Sequence, residues 1–125
     1  MKFVKSVVVI GSAVLAASML SVGPAQAQRV PGCDNSAWKP YKPAWNVVAG
    51  DGKREGNSCG NASVVVNVYR ETGWSDELIA SREQTFATGV LTATSEPLWV
   101  SCESFYTQIR LNGETKAQSD TVRLC

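Results

Sequence analysis

The chain has 125 residues, with 12 basic and 11 acidic side chains, 44% apolar residues and no histidine. A near-neutral charge without a basic stretch excludes a nucleic-acid binder, which needs Lys and Arg to displace counterions from phosphates. The lack of histidine excludes Ser-His-Asp and Cys-His catalysis, histidine metal sites and a histidine pH switch.

The first 27 residues read as a secretory signal. Lys2 and Lys5 give a positive start, residues 7–22 are apolar or small, Pro24 breaks a helix, and Ala25-Gln26-Ala27 places small residues where a signal peptidase cuts. The apolar run is short for a bilayer span, which takes about 20 residues. Residues 28–125 are then one secreted, extracellular domain with no membrane attachment after cleavage. It carries 10 basic against 11 acidic residues.

Four cysteines follow, at 33, 59, 102 and 125. An even number in a small secreted chain points to disulfides, and the wide spacing lacks the close pairs of a zinc site. Hairpin geometry selects the pairing. Residues 105–111 and 117–124 read as strands around Asn112-Gly113-Glu114-Thr115. If that four-residue loop closes the hairpin, Leu111 faces Lys116, and the same register places Cys102 opposite Cys125. A two-residue Asn-Gly turn shifts the register by two, still within a diagonal neighbour. Cys102–Cys125 is therefore favoured, and Cys33–Cys59 follows by elimination.

Between the cysteines, Trp38-Lys39-Pro40-Tyr41-Lys42-Pro43 cannot be a central strand, because proline lacks a ladder N–H. It reads as an edge strand or an extended surface segment. Residues 45–49 form a weaker strand, and Gly50-Asp51-Gly52 a turn. The strongest strand spans residues 62–69, with Ala62, Val64, Val66 and Val68 on one face. Thr72-Gly73 is a turn. Residues 78–86 are a strand, with a short helix over 78–85 as the competing reading, and residues 90–94 are a strand. Thr88-Gly89 and Glu96-Pro97 are turns. In the hairpin, Phe105, Thr107, Ile109 and Leu111 share a face with Val122 and Leu124. Short strands with such punctuation predict an all-β, immunoglobulin-like antiparallel sandwich of six to seven strands and two disulfides.

Several landmarks carry a resemblance. They are Cys59, the strand over 62–69, Trp74-Ser75-Asp76, Ile79-Ala80-Ser81, Cys102 with Phe105-Tyr106, Ala117-Gln118-Ser119 and Cys125. Over residues 59–125 the chain resembles small, uncharacterised secreted proteins of actinobacteria that look immunoglobulin-like. The resemblance implies a bacterial, extracellular sandwich and transfers no catalytic residue.

No reaction is legible. The eleven carboxylates fall mostly in turns or exposed positions, and neighbours such as Asp76 and Glu77 point to opposite faces of a strand. No Ser-x-x-Lys, phosphate loop or calcium loop occurs. We read no enzyme, no cofactor and no metal. Aromatics remain. Trp38, Tyr41 and Trp45, with Lys39 and Lys42, form a candidate recognition strip for an extracellular protein or polysaccharide, against the favoured structural reading that Trp38 and Trp45 pack inward while the prolines protect an edge from sheet-to-sheet association. In an extended chain Tyr41 and Trp45 share a face; in a proline-rich helix Trp38 and Tyr41 do. Trp74 is a further candidate, and Trp99, between Leu98 and Val100, reads as core. The leading expectation is a non-enzymatic secreted binding module. The alternative is a proteinaceous inhibitor of an extracellular protease or glycosidase, since a rigid stapled loop loses little entropy on docking. Mass analysis of the secreted product should show the loss of residues 1–27; a full-length mass would refute that processing.

Overall fold

The alternating valines form a strand at the centre of a five-stranded sheet. A computed structural model describes residues 32–125, which lie in the unit Gly32–Cys125. The signal segment and its cleavage point fall outside the described residues. Among the described residues no helix is long and apolar enough to cross a membrane.

Among the described residues nine strand segments form two antiparallel sheets. In the first sheet, β3 (Val47–Glu55) pairs on one side with β6 (Gly89–Thr94) and on the other with β1 (Asp34–Ala37) and then β2 (Tyr41–Ala44). The second sheet runs β5 (Asp76–Phe86), β4 (Ala62–Glu71), β7 (Glu103–Leu111), and then β8 (Glu114–Gln118) with β9 (Val122–Leu124). Each sheet thus has one interrupted edge: β1 and β2 occupy one strand position, as do β8 and β9. The proline-bearing segment is such an edge, as its missing N–H groups require.

The inward faces supply the core. Val64, Val66, Val68, Phe105 and Ile109 from the second sheet are fully buried against Val48, Leu91 and Ala93 from the first. Residues 78–86 are strand rather than helix, with Ala80 in the core.

Gly50-Asp51-Gly52 is not a turn but the middle of β3. A Cβ on Gly50 would lie 2.7 Å from Val68 Cγ2, and one on Gly52 would lie 2.6 Å from Val66 Cγ2. The glycines let the two sheets approach, a role that sequence punctuation does not distinguish from a turn. The strand expected at 45–49 accordingly begins later and runs longer. Trp45-Asn46 forms the two-residue β2–β3 turn, and Ala44 faces Val47.

The β7–β8 turn is also tighter than a four-residue loop. Asn112 and Gly113 have φ of 51° and 84°, the pattern of a type I′ turn, and Leu111 faces Glu114. One irregularity between Ile109 and Arg110 and a second at the β8–β9 break absorb two residues. Phe105 therefore faces Val122, and Cys102 bonds Cys125. Cys33 bonds Cys59. Each bridge is worth about 2–4 kcal/mol.

At the Cys33–Cys59 end, Arg54 is buried at 5% exposure. Its guanidinium donates to Asn35 Oδ1 (3.2 Å), the Gly60 carbonyl (3.0 Å) and the Phe86 carbonyl (3.2 Å). These acceptors offset the cost of burying the charge and tie three segments together. For the sheet contact, Gly50→Ala should destabilise the domain by about 2 kcal/mol through overpacking. Chemical denaturation should show the loss; unchanged stability would mean that the sheets do not touch there.

Candidate binding surface

None of the four tryptophans is in the core. Trp38 is 48% exposed, Trp45 74%, Trp74 97% and Trp99 77%. The expectation that Trp99 is core is thus overturned. It lies in the β6–β7 loop, where Leu98 and Val100 are half-buried, Val100 packs against the core, and the residue between them turns outward.

Strand direction gathers three of the four. The β2–β3 turn holds Trp45, the β4–β5 turn holds Trp74, and the β6–β7 loop holds Trp99. In alternating antiparallel strands these three connections fall at one end of the sandwich. Hydrogen bonds confirm the placement. Leu98 N donates to the Asn46 carbonyl (2.8 Å), beside Trp45. Arg70 Nη1, at the end of β4, donates to the Trp99 carbonyl (2.9 Å). Ser95 Oγ accepts from Val48 N (3.0 Å), while Ser95 N donates to the Val48 carbonyl (2.9 Å). Cys102–Cys125 anchors the loop where it enters β7.

Trp38 and Tyr41 lie elsewhere, on the outward face of the first sheet. Lys53 Nζ sits 5.7 Å from the Trp38 ring centroid, a cation–π contact. Tyr41 OH donates to Asp51 Oδ1 (3.3 Å), which also accepts from Thr92 Oγ1 (2.6 Å). Burial and Asp51 together push the Tyr41 hydroxyl pKa up. Neither geometry expected from the sequence is realised as such: Tyr41 opens strand β2, Trp45 lies in the β2–β3 turn, and Trp38 precedes β2.

Between the Trp74 and Trp99 connections lies a cleft of about 530 Å³, lined by Arg70, Glu71, Thr72, Glu77, Trp99 and Glu103. Arg70 Nε and Nη2 donate to Glu77 Oε1 at 3.0 and 2.9 Å. Glu103 accepts from Ser101 N (2.9 Å) and Ser101 Oγ (2.8 Å). These two donors, the backbone N–H foremost, hold the Glu103 carboxyl below the usual range, and Arg70 adds to the effect. Sequence reasoning did not reach this cleft, since its residues come from three separate segments. No group of metal-ligating side chains forms among the described residues.

The Trp74 turn is anchored from the outer face of the second sheet. Tyr106 OH donates to Asp76 Oδ2, and the Tyr106 ring stacks on Tyr69 at 5.2 Å.

No protein-family model and no curated protein match the chain. Among solved structures, it is similar to the sensor domain of the anti-sigma factor RsgI4 from Pseudobacteroides cellulosolvens, with a TM-score of 0.51 and 9% identity. The match covers 76% of this chain and 96% of that one, a likeness of fold alone. The β-glucosidase DesR from Streptomyces venezuelae aligns with a TM-score of 0.41 and 13% identity, over 74% of this chain and 15% of the enzyme.

Burial, then the bond to Asp76, raises the Tyr106 pKa. The fold therefore favours the neutral phenol. That stability is complete below the free value of about 10 and is lost as pH rises above it. Denaturation across pH 8 to 12 should show falling stability above about pH 10, with a shallower fall in Tyr106→Phe. Parallel profiles would contradict this role of Tyr106.

Proposed function

We propose that the chain is a small secreted binding module that acts without catalysis, and that its turn-borne tryptophans are the ligand contacts. The carrying observation is that all four tryptophans stand outside a core built from Val, Ala, Leu, Ile and Phe. An exposed indole adds little to folding and leaves apolar area in water, which a partner's surface can cover. Trp is also the side chain most enriched at binding hot spots. The signal-like start and two disulfides support an extracellular setting.

Carboxylates line the cleft, so hydrolysis needs weighing. A general acid requires a carboxyl whose pKa is raised by an apolar surround. Glu103 is shifted the opposite way, and Glu77 is engaged by Arg70. Both features suit holding a ligand better than donating a proton to one.

One observation favours inhibition as a second reading. The β6–β7 loop exposes Glu96, Pro97 and Trp99 directly before a disulfide-anchored cysteine. A loop of that kind could enter an enzyme's cleft with little loss of entropy.

Capture of culture proteins and polysaccharides by the purified secreted protein tests the main reading. Trp74→Ala should lose capture while unfolding stability stays within about 0.5 kcal/mol, as for an exposed surface position. Undiminished capture by Trp74→Ala would remove that residue from the site, and inhibition of a secreted hydrolase would favour the second reading.

A further inference from the structure

We propose that the cleft walled by Trp99 is a saccharide subsite for one ring of an uncharged polysaccharide, with Trp45 and Trp74 on the adjoining turns holding neighbouring rings. This rests on the binding-module reading above and names its ligand class.

Size comes first. About 530 Å³ falls in the range of small-ligand sites and accommodates a single pyranose ring. Trp99 lines it with its side chain exposed, on backbone held by Leu98 N donating to the Asn46 carbonyl and Arg70 Nη1 donating to the Trp99 carbonyl. The C–H face of a pyranose is the surface that such a ring covers, while the sugar's hydroxyls project around its edge.

The remaining lining is rich in acceptors. Glu71, Glu77 and Glu103 are acceptor-only when ionised. The Arg70 donors are already directed to Glu77 and the Trp99 carbonyl. Such a rim suits a ligand offering many O–H donors, with charge-assisted bonds to the carboxylates. Three carboxylates against one guanidinium also repel uronates, sulfates and phosphates. Glu103 is held in place by Ser101, so it meets a sugar hydroxyl already oriented.

The wider surface favours a glycan over a protein. Among the described residues, the exposed large apolar side chains are Trp38, Tyr41, Trp45, Trp74 and Trp99, with Leu78 and Val90 the only aliphatic ones. Rings on three separate turns, with few aliphatics between them, match a chain of separate rings better than a continuous apolar protein face.

The test titrates the purified secreted protein with cello-oligosaccharides and chito-oligosaccharides, following tryptophan fluorescence, and adds pull-downs on cellulose and chitin. Polygalacturonate, polylysine and culture proteins are parallel arms. At least one uncharged oligosaccharide should shift the fluorescence, and polygalacturonate should not. Trp99→Ala should weaken that binding about tenfold, the scale of one lost aromatic stack. Because Trp99 is exposed, the variant should melt with the wild type. Glu103→Gln, which keeps the side-chain shape, should weaken binding by a smaller factor.

Capture of polylysine or a culture protein without any glycan would overturn the saccharide assignment and leave the binding module standing. Glycan binding unaffected by Trp99→Ala would overturn this cleft as the site. Failure to bind any arm would overturn both readings.

Discussion

The two sheets meet through glycine. Gly50 and Gly52 lie on the inward face of β3, where Val66 and Val68 of β4 leave no room for a Cβ. The same contact brings Gly50 against Thr107, whose buried hydroxyl has no hydrogen-bond partner among the described residues. Close approach is possible because β3 itself presents glycine at two inward positions, paired with Ala93 and Leu91 of β6. The larger side chains, Phe105 and Ile109, come from the second sheet. The tryptophans stand outside this core, at the ends and on the outer surface.

The ends of the sandwich are treated differently. At one, Cys33–Cys59 and the buried Arg54 draw β1, β3 and the 56–60 connection together, with the polar groups satisfied inside. At the other, Cys102–Cys125 fixes only the exit of the β6–β7 loop, and aromatic tips stand in solvent. Lys42 Nζ also donates to the Cys125 carbonyl there, joining the edge of the first sheet to the end of the second. The exposed end is therefore braced by backbone and disulfide bonds, so its loops can hold their shape without burying their aromatic side chains.

Sequence made much of the fold legible, for physical reasons. Alternation in residues 62–69 and 105–111 survives folding because a two-sided sheet imposes a period of two, and the cysteine pairing emerges from hairpin register. Even there the route differs. The Asn112-Gly113 turn is tight, and two later irregularities return Cys102 to Cys125. What failed depended on contacts between distant segments. Glycines at 50 and 52 looked like a turn because sheet-to-sheet approach leaves no local signature. Trp99 looked like core because its neighbours are apolar, yet only those neighbours turn inward. The cleft was invisible for the same reason: Arg70, Trp99 and Glu103 are brought together by strand pairing and a loop, not by spacing. Exposure of Trp38, Tyr41, Trp45 and Trp74 was a question that sequence could pose but not answer.

A rigid end also changes the cost of recognition. A tryptophan on a flexible tail loses its own freedom, and that of its backbone, when it docks. Here the backbone beside Trp45 and Trp99 is already fixed by the Leu98–Asn46 hydrogen bond, and the Trp74 turn grows from strands locked by Tyr106 and Asp76. What docking still has to order is largely two side-chain torsions per indole. Apolar area left in water is a modest loss for a domain already stapled by two disulfides, and it becomes a gain when a ligand covers it. The closely packed sheets and the exposed tryptophans thus belong to one arrangement: a frame held by sheet contact at Gly50 and Gly52, by two disulfides and by hydrogen bonds at the loop bases carries large rings outward.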